Sequence, residues 1–260
     1  MRKTYRAHSG SKAYWAQRWE QIPADDGELN LQRYPGKFAE QVMRQTDGPV
    51  LEAGCGAGRV LLHYYRQGRP IIGMDFIEIA LAKIRSIEPN ISLCTADTIN
   101  LPFRDGSFAA IFAFGLYHGL ESGIENALAE TRRVTRSGGW LCVSLRADNL
   151  QNRVIDWMAE RKAPKGTERR FHKANYTRKE FIKLLEEAGF SVKSLEYVEN
   201  MPFLYKIPAL RHRSHRKFNE HNARGEGYRL SLLGKILQTA LINLSPGSFC
   251  NINVAFARAV

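Results

Sequence analysis

A glycine-rich turn between two apolar segments restricts the fold of this chain more than any other feature of its sequence. The run VLEAGCGAGR at 50–59 contains Gly54, Gly56 and Gly58. The segment before the turn has the pattern of a buried strand, and the segment after it has the pattern of a helix. A ligand can approach this backbone closely because no Cβ is in the way, and the first N–H groups of the helix point towards it.

The same order of strand and helix repeats along the chain. Apolar runs predict strands at 48–54, 70–75, 90–96, 107–114 and 140–145, with helices at 57–67, 76–87 and 122–136. Further on, the patterns predict helices at 149–161 and 176–190 and strands at 190–198 and 251–259. Because apolar strands alternate with helices, the predicted fold class is α/β, with a parallel sheet covered by helices on both faces.

Length and composition favour a protein that folds around a full core. The chain has 260 residues, of which 44% are hydrophobic, and domains average roughly 150 residues. Its N-terminus lacks the apolar stretch of a signal peptide, and the apolar segment at 230–244 contains Lys235 and Gln238. We therefore expect a cytoplasmic protein without a transmembrane segment. The four cysteines form no CxxC pair, so we interpret them as buried apolar residues and predict no metal site.

The positive charge is concentrated in three segments. The net charge is +12, and segments 1–18, 161–179 and 211–229 together carry +16, which leaves −4 for the rest of the chain. Such segments can attract an anionic small molecule, a nucleic acid or a membrane surface, or can simply be solvated.

Three acidic residues narrow the choice of ligand for the glycine turn. In a GxGxxG dinucleotide site the third glycine would stand where this chain has Arg59, which argues against NAD. Glu52 precedes the turn, where a carboxylate attracts a cationic group and repels a pyrophosphate. Asp75 ends the second strand, where a carboxylate accepts hydrogen bonds from ribose hydroxyls, and Asp97 follows the third strand. These residues suit a ligand with an amine, a ribose and an adenine but no phosphate, a description that fits S-adenosylmethionine.

The motifs in residues 48–198 together resemble those of class I S-adenosylmethionine-dependent methyltransferases, most closely the broad group that includes the ubiquinone and menaquinone biosynthesis methyltransferases. The similar runs are VLEAGCGAGR, GMDF, TADTINLPFRDGSFAAIFAFGLYHGL, ALAETRRVTRSGGWLCVSL and YTRKEFIKLLEEAGFSV. The chain departs from the family pattern at Ala109, where an Asp is usual, and at Ser137, where a Pro is usual. The resemblance implies S-adenosyl-L-methionine as cofactor and S-adenosyl-L-homocysteine as product.

The resemblance also implies the residues that hold this cofactor. Glu52 and Gly54 would bind its methionine end, Asp75 its ribose and Asp97 its adenine amine. The full predicted set is Glu52, Gly54, Cys55, Gly56, Asp75, Phe76, Ala96, Asp97, Thr98, Phe114 and Gly115.

The domain organisation implied by the resemblance is a single methyltransferase domain over 1–260. Residues 1–47 would form a helical lid, 48–146 the cofactor-binding half, and 147–260 the substrate side. The implied fold is a Rossmann-like, doubly wound, mostly parallel sheet with an antiparallel last strand and helical insertions after the fifth and sixth strands.

The acceptor of the methyl group is harder to predict. Tyr117 and His118 follow the fourth strand and are candidate catalytic residues by their position in the family; alternatively, His118 packs or helps to hold the cofactor. A small, possibly anionic acceptor accounts for the basic segments. The chain lacks the Asn/Asp-Pro-Pro-aromatic run of enzymes that methylate base amines, so nucleic acid is a less favoured partner, and an RNA-binding or RNA-modifying protein is the alternative function.

Two helical segments allow two interpretations each. Tyr14, Trp15 and Trp19 lie on one face of a helix that could simply dock on the domain or could close over the cofactor as a lid. The amphipathic segment 228–244 is predicted to cover the substrate pocket, with contact to a membrane surface as the alternative. The sequence leaves the oligomeric state open.

Overall fold

A computed structural model describes residues 1–6, 12–22, 24, 29–162, 168–198, 202–215 and 229–260. The strands are β1 (Arg2–Arg6), β2 (Val50–Ala53), β3 (Ile71–Asp75), β4 (Leu93–Thr95), β5 (Phe108–Ala113), β6 (Thr135–Arg146), β7 (Arg170–Asn175), β8 (Phe190–Tyr197) and β9 (Ile252–Ala259). The helices are α1 (Lys12–Gln21), α2 (Gly36–Met43), α3 (Arg59–Tyr65), α4 (Glu78–Ile87), α5 (Ile124–Val134), α6 (Leu150–Lys162), α7 (Arg178–Glu187), α8 (Pro202–Tyr205), α9 (Leu232–Leu244) and α10 (Pro246–Phe249). Short 3₁₀ turns occupy Tyr117–Gly119, Pro208–Leu210 and Arg213–His215.

The main sheet of the described residues has the strand order β4-β3-β2-β5-β6-β9-β8. Strands β2 to β6 pair in parallel, and β9 is antiparallel to both β6 and β8. The prediction of a doubly wound, mostly parallel α/β sheet with an antiparallel last strand is therefore confirmed. The chain order reverses direction between β2 and β5, and ligands of such sheets bind outside the carboxyl ends of the strands at this point.

The central strands are buried on both faces, as their continuous apolar sequences predict. Leu51 of β2 and Ile111 of β5 pack in one core cluster, whereas their neighbours Val50 and Phe112 pack in a second cluster. Because successive side chains of a strand point to opposite faces, the two clusters lie on the two sides of the sheet.

A second, two-stranded sheet was not expected from the sequence. β1 pairs antiparallel with β7, so the lid segment begins with a strand before its predicted helix, α1, and the insertion after β6 contains a strand besides helix α6. Arg2 fixes β1 to the segment after β6 because its guanidinium donates to Asp148 and Asp156, both at 2.8 Å. The pairing joins residues about 170 positions apart, and neither strand has an apolar alternation that would reveal it.

None of the helices in the described parts of the chain is long and apolar enough to cross a membrane.

Candidate functional site

The glycine turn is held directly against the end of β3. Gly54 and Gly58 adopt φ angles of +72° and +79°, which side chains other than glycine rarely adopt. The N–H groups of Gly54 and Cys55 both donate to the carbonyl oxygen of Met74, at 2.7 and 2.9 Å. The turn thereby lies beside Asp75, the residue that follows Met74.

Asp75 connects the turn to the start of the next helix. Its Oδ2 accepts from the N–H of Gly56 at 2.8 Å, and its Oδ1 accepts from that of Ile77 at 3.0 Å. Burial raises the pKa of Asp75, against the effect of these N–H groups, which stabilise the carboxylate. Each oxygen retains a further lone pair, so the buried carboxylate can accept two more hydrogen bonds from a ligand.

Glu52 is a buried carboxylate without a hydrogen-bonded cation among the described residues. Its Oε2 accepts from the N–H of Leu61 at 2.8 Å, and its side chain lines the cavity described below. Burial raises the pKa of Glu52 to about 8, although the Leu61 N–H and the positive charge of Arg59 act in the opposite direction. A cation bound beside Glu52 would favour the ionised carboxylate and would itself be stabilised by that negative charge.

The next acidic position lies after β4. Asp97 and Thr98 both line the cavity, and Oδ1 of Asp97 accepts from the N–H of Ile99 at 3.2 Å. The hydroxyl of Thr98 is buried and has no hydrogen-bond partner within the described chain. Because a buried hydroxyl without a partner is costly, this oxygen marks a place for a polar ligand group.

One cavity of about 930 Å³ joins these residues at the carboxyl ends of the strands. The predicted cofactor-binding residues that line it are Glu52, Gly54, Cys55, Asp75, Phe76, Ala96, Asp97, Thr98, Phe114 and Gly115. Gly56 is not on the wall, but its N–H orients Asp75 and its α-carbon lies against the Trp19 indole. The donors and acceptors on the wall fit S-adenosylmethionine, since three carboxylates and a free hydroxyl face groups that donate or carry positive charge, with no phosphate to repel.

Helix α1 forms the outer wall of this cavity. Trp15, Arg18 and Trp19 line it, and the rings of the two tryptophans stack with centroids 6.3 Å apart. Lys83 on α4 holds the end of α1, because its ammonium donates to the carbonyl oxygens of Trp19 and Ile22 at 2.9 and 3.1 Å and also to that of Glu20. These contacts support the interpretation of α1 as a lid, and Lys83 is a residue that the sequence did not reveal.

Gly115, which lines the cavity, is part of a hydrogen-bonded group with Ser144 and Tyr34. The N–H of Gly115 donates to Oγ of Ser144 at 2.9 Å, and the same oxygen lies 2.9 Å from the hydroxyl of Tyr34. Tyr34 also lines the cavity, and burial raises its pKa to about 12, so its phenol is neutral at pH 7. The sequence did not predict Tyr34 as a site residue because it lies in the lid segment, 110 positions from Ser144.

Tyr117 and His118 are not among the residues that line the cavity. Tyr117 is 1% exposed, and its hydroxyl lies 2.5 Å from that of Thr131 inside the core. This position favours a structural role for the Tyr117 side chain.

His118 lies directly behind Gly115 in the cavity wall. A Cβ on Gly115 would be 3.8 Å from Cε1 of His118. Burial lowers the pKa of His118 to about 3, and the positive charges of Arg146 and Lys173 act in the same direction. Its Nδ1 is buried without a hydrogen-bond partner in the described chain. The imidazole is therefore neutral at pH 7, with one nitrogen free to accept a proton or a hydrogen bond.

Only one of the two basic segments in the second half of the chain reaches this cavity in the described residues. Arg169 and Arg170 line it, together with Arg18 and Arg59 from other segments. In contrast, no described residue of the segment 211–229 lines the cavity, and its residues 216–228 lie outside the described chain. The segment 161–179, unlike the described part of 211–229, can therefore contact a ligand in this cavity.

More positive charge lies behind the wall that β7 forms. Lys173 of β7 is mostly buried, and desolvation together with the positive charges of Arg146 and Arg6 holds its pKa well below the usual value. Burial, with the positive charges of Lys173, Arg6 and Arg146, lowers the pKa of His172 to about 2. The negative charge of Asp156 raises the pKa of Lys173, but this carboxylate is already paired with Arg2 and Arg6 at 2.8 and 3.3 Å. Arg6 and Arg146 thus make the surroundings of His172 and Lys173 electropositive, which disfavours a proton on either side chain.

Comparisons with known proteins agree with this geometry. Residues 50–139 match a family model described as a methyltransferase domain. The chain is 31% identical to a "Probable S-adenosylmethionine-dependent methyltransferase" of Mycolicibacterium smegmatis over 55% of this chain and 52% of that protein. It is 32% identical to a malonyl-[acyl-carrier protein] O-methyltransferase of Yersinia pestis over 47% and 46%. The chain thus spans about half the length of the curated relatives that it matches.

Solved structures share the fold over a larger part of the chain. The geranyl diphosphate C-methyltransferase of Streptomyces coelicolor superposes with a TM-score of 0.58 and 14% identity, covering 97% of this chain and all of that one. At this identity the similarity shows the fold alone.

Proposed function

We propose that this chain, which belongs to the class I S-adenosylmethionine-dependent methyltransferase superfamily, methylates a small anionic acceptor as a single-domain enzyme. The observation that carries the proposal is the set of carboxylates at Glu52, Asp75 and Asp97, which face one cavity beside the glycine turn. When bound, S-adenosylmethionine supplies an electrophilic methyl group on a positively charged sulfur.

The cofactor half of the site orients the ligand by charge and hydrogen bonds. Glu52 binds the ammonium group of the methionine end, Asp75 accepts from the ribose hydroxyls, and Asp97 with Thr98 contacts the adenine edge. The thiol of Cys55 stays neutral because burial holds its pKa well above the usual value. Helix α1 covers the cavity and limits the access of water to the reacting groups.

The acceptor half attracts and aligns an anion. Arg169 and Arg170 stand at the cavity, and Arg6 and Arg146 add positive charge near Lys173, so an anionic acceptor is concentrated near Gly115. Alignment with the methyl group is the main requirement for a displacement of this kind. Where the acceptor must lose a proton, we assign the proton to His118, with Tyr117 holding the turn that carries it. A negative charge bound nearby raises the pKa of His118 and so makes the imidazole a stronger base.

Direct binding and methyl transfer test this function. We expect S-adenosylmethionine and S-adenosylhomocysteine to bind in isothermal titration, and labelled methyl to be transferred to a carboxylated or phosphorylated compound in a metabolite screen. Tighter binding of NAD than of either ligand would overturn the cofactor assignment. Inhibition of methyl transfer by RNA, with a steep dependence on salt, would favour the alternative of an RNA-directed protein.

We expect cofactor binding to release a proton from Glu52. Because the pKa of Glu52 is about 8 in the ligand-free protein, the carboxyl is mostly protonated at pH 7. A bound ammonium group lowers that pKa, so we expect most of one proton to be released on binding. Titration calorimetry in buffers of different ionisation enthalpy measures this release. Glu52→Gln keeps the acceptor for Leu61 and should abolish the release, whereas equal release in both proteins would assign it to another group.

The lid contact of Lys83 gives a second expectation. Lys83→Met removes three hydrogen bonds to the end of α1, and we expect cofactor affinity to fall by about three- to tenfold because the lid opens more often. Arg85→Met on the exposed side of the same helix is the matched control. Stopped-flow tryptophan fluorescence should report faster cofactor release only for Lys83→Met. Unchanged release would mean that α1 is held without Lys83.

A further inference from the structure

Helix α9 directs its apolar residues outwards. Its exposed apolar side chains, with their exposed fractions, are Leu232 (77%), Leu233 (59%), Ile236 (57%), Leu237 (37%) and Leu244 (78%). None of the residues of α9 lines the cavity, so the prediction that this segment covers the substrate pocket is wrong. At 100° per residue these side chains and Ala240 span an arc of about 140°, which contains Asn243 as its polar member.

The packing of α9 fixes this orientation. Gly234 lies so close to the segment below that a Cβ would come within 2.6 Å of the carbonyl oxygen of Leu210. Ser231 caps the helix by accepting from the N–H of Gly234 at 3.2 Å, and Ile242 is buried on the same side as Gly234. A rotation that buried the apolar arc would break these contacts. The arc is therefore a stable surface of the described protein.

The described segments that flank α9 in the sequence, and with which it makes its main contacts, carry basic but no acidic residues. Residues 202–215 and 229–250 include Lys206, Arg211, Arg213, Arg229 and Lys235 but no Asp or Glu. Lys235 is exposed, about 60° around the helix from the end of the arc at Leu232. The backbone N–H of His212 donates to the carbonyl oxygen of Arg229 at 2.9 Å, which places the basic residues 211–213 next to the start of α9.

We propose that α9 docks this protein on a membrane surface that contains anionic phospholipids. The helix has 13 residues and is about 20 Å long, too short to span a bilayer, so it lies in the interface plane. Its apolar arc enters the boundary of the acyl chains while the basic side chains contact lipid phosphates. A second copy of the chain fits less well, because a two-fold contact would bring like charges together. This proposal does not rest on the identity of the methyl acceptor.

Vesicle sedimentation of the whole protein tests the docking surface. We expect binding to vesicles of phosphatidylglycerol and phosphatidylcholine in equal amounts, and much weaker binding to phosphatidylcholine alone. Leu233→Gln with Ile236→Gln should lower the partition coefficient by about tenfold or more. Lys235→Glu with Arg213→Glu should lower it by a similar factor, because each basic residue near the surface contributes to the attraction.

Matched variants control for general effects of polarity and charge. Ile87→Gln with Val260→Gln alters two exposed apolar residues elsewhere, and Lys179→Glu with Lys193→Glu makes the same change of net charge away from α9. Both should bind vesicles like the wild type, and thermal unfolding and cofactor binding verify that all variants fold. Failure of the wild type to bind, or equal loss in the controls, would overturn the proposal. So would a dimer in analytical ultracentrifugation that Leu233→Gln with Ile236→Gln dissociates, since a second copy would then cover the arc.

Discussion

We expect Asp75→Ala to weaken the binding of S-adenosylmethionine by about 10- to 100-fold. The substitution removes the proposed acceptor for two ribose hydroxyls, and hydrogen bonds to a charged group contribute roughly 1.5–3 kcal/mol each, of which part is recovered from water. It also leaves the N–H groups of Gly56 and Ile77 without their acceptor, at 2.8 and 3.0 Å in the wild type. Both changes should weaken ligand binding. The second does so because Gly56 belongs to the turn that the ligand approaches.

Isothermal titration with S-adenosylhomocysteine as well as S-adenosylmethionine measures this loss. Asp105→Ala removes a carboxylate that is 80% exposed and is the matched control, for which we expect unchanged affinity. Asp75→Asn separates the two effects, since it retains one acceptor and the size of the side chain. A folded Asp75→Ala protein with wild-type affinity would mean that the ribose binds elsewhere.

Buried carboxylates are the strongest sign that the cavity serves a ligand. The ionised form of Glu52 is costly in the ligand-free protein, as its raised pKa indicates, and an ion-paired cation within the fold would have lowered that pKa. A raised pKa of an acid also means that the folded state loses stability as the pH rises from the unfolded value towards about 8. A group that destabilises the empty fold and faces a cavity is typical of binding sites.

The cofactor half of the site could be predicted from sequence because its signals are local. Glu52 lies within an apolar strand next to its end, Asp75 ends one and Asp97 follows one, and the carboxyl ends of parallel strands meet at one edge of the sheet. The glycine turn lies in the same short segment as Glu52. Consequently the residues predicted for the cavity wall do lie there, with Gly56 just behind it. Their binding role stays a prediction.

The acceptor half depends on contacts between distant segments, which local patterns do not reveal. Thr4 meets Lys173 in the β1–β7 pair, and Tyr34 meets Ser144, across separations of 169 and 110 residues. Tyr117 shows a different limit: its place in the chain is next to the site, but the 3₁₀ turn directs its side chain into the core. Periodicity likewise showed that α9 is amphipathic without showing which face the protein covers.

Charge reversal at the cavity mouth should act on the acceptor and not on the cofactor. With Arg169→Glu and Arg170→Glu, we expect the KM of an anionic acceptor to rise about tenfold or more at low salt. Both side chains line the cavity and are largely exposed, and the ion pair of Arg170 with Glu168 at 3.7 Å is itself solvated. They therefore attract the acceptor through the field at the entrance, and salt screens that field over about 10 Å.

The dependence on salt distinguishes this attraction from a loss of structure. In the wild type the KM of the acceptor should rise with ionic strength, and the reversed variant should show a weaker dependence because the attractive charges are gone. Lys179→Glu with Lys193→Glu changes the net charge equally at positions that do not line the cavity, so its kinetics should resemble those of the wild type. Cofactor affinity should be nearly the same in all three proteins, since Glu52 and Asp75, which we propose to bind the cofactor, are buried inside the cavity. Equal kinetics for all three proteins at low salt would show that Arg169 and Arg170 are solvated surface and would remove the main support for an anionic acceptor.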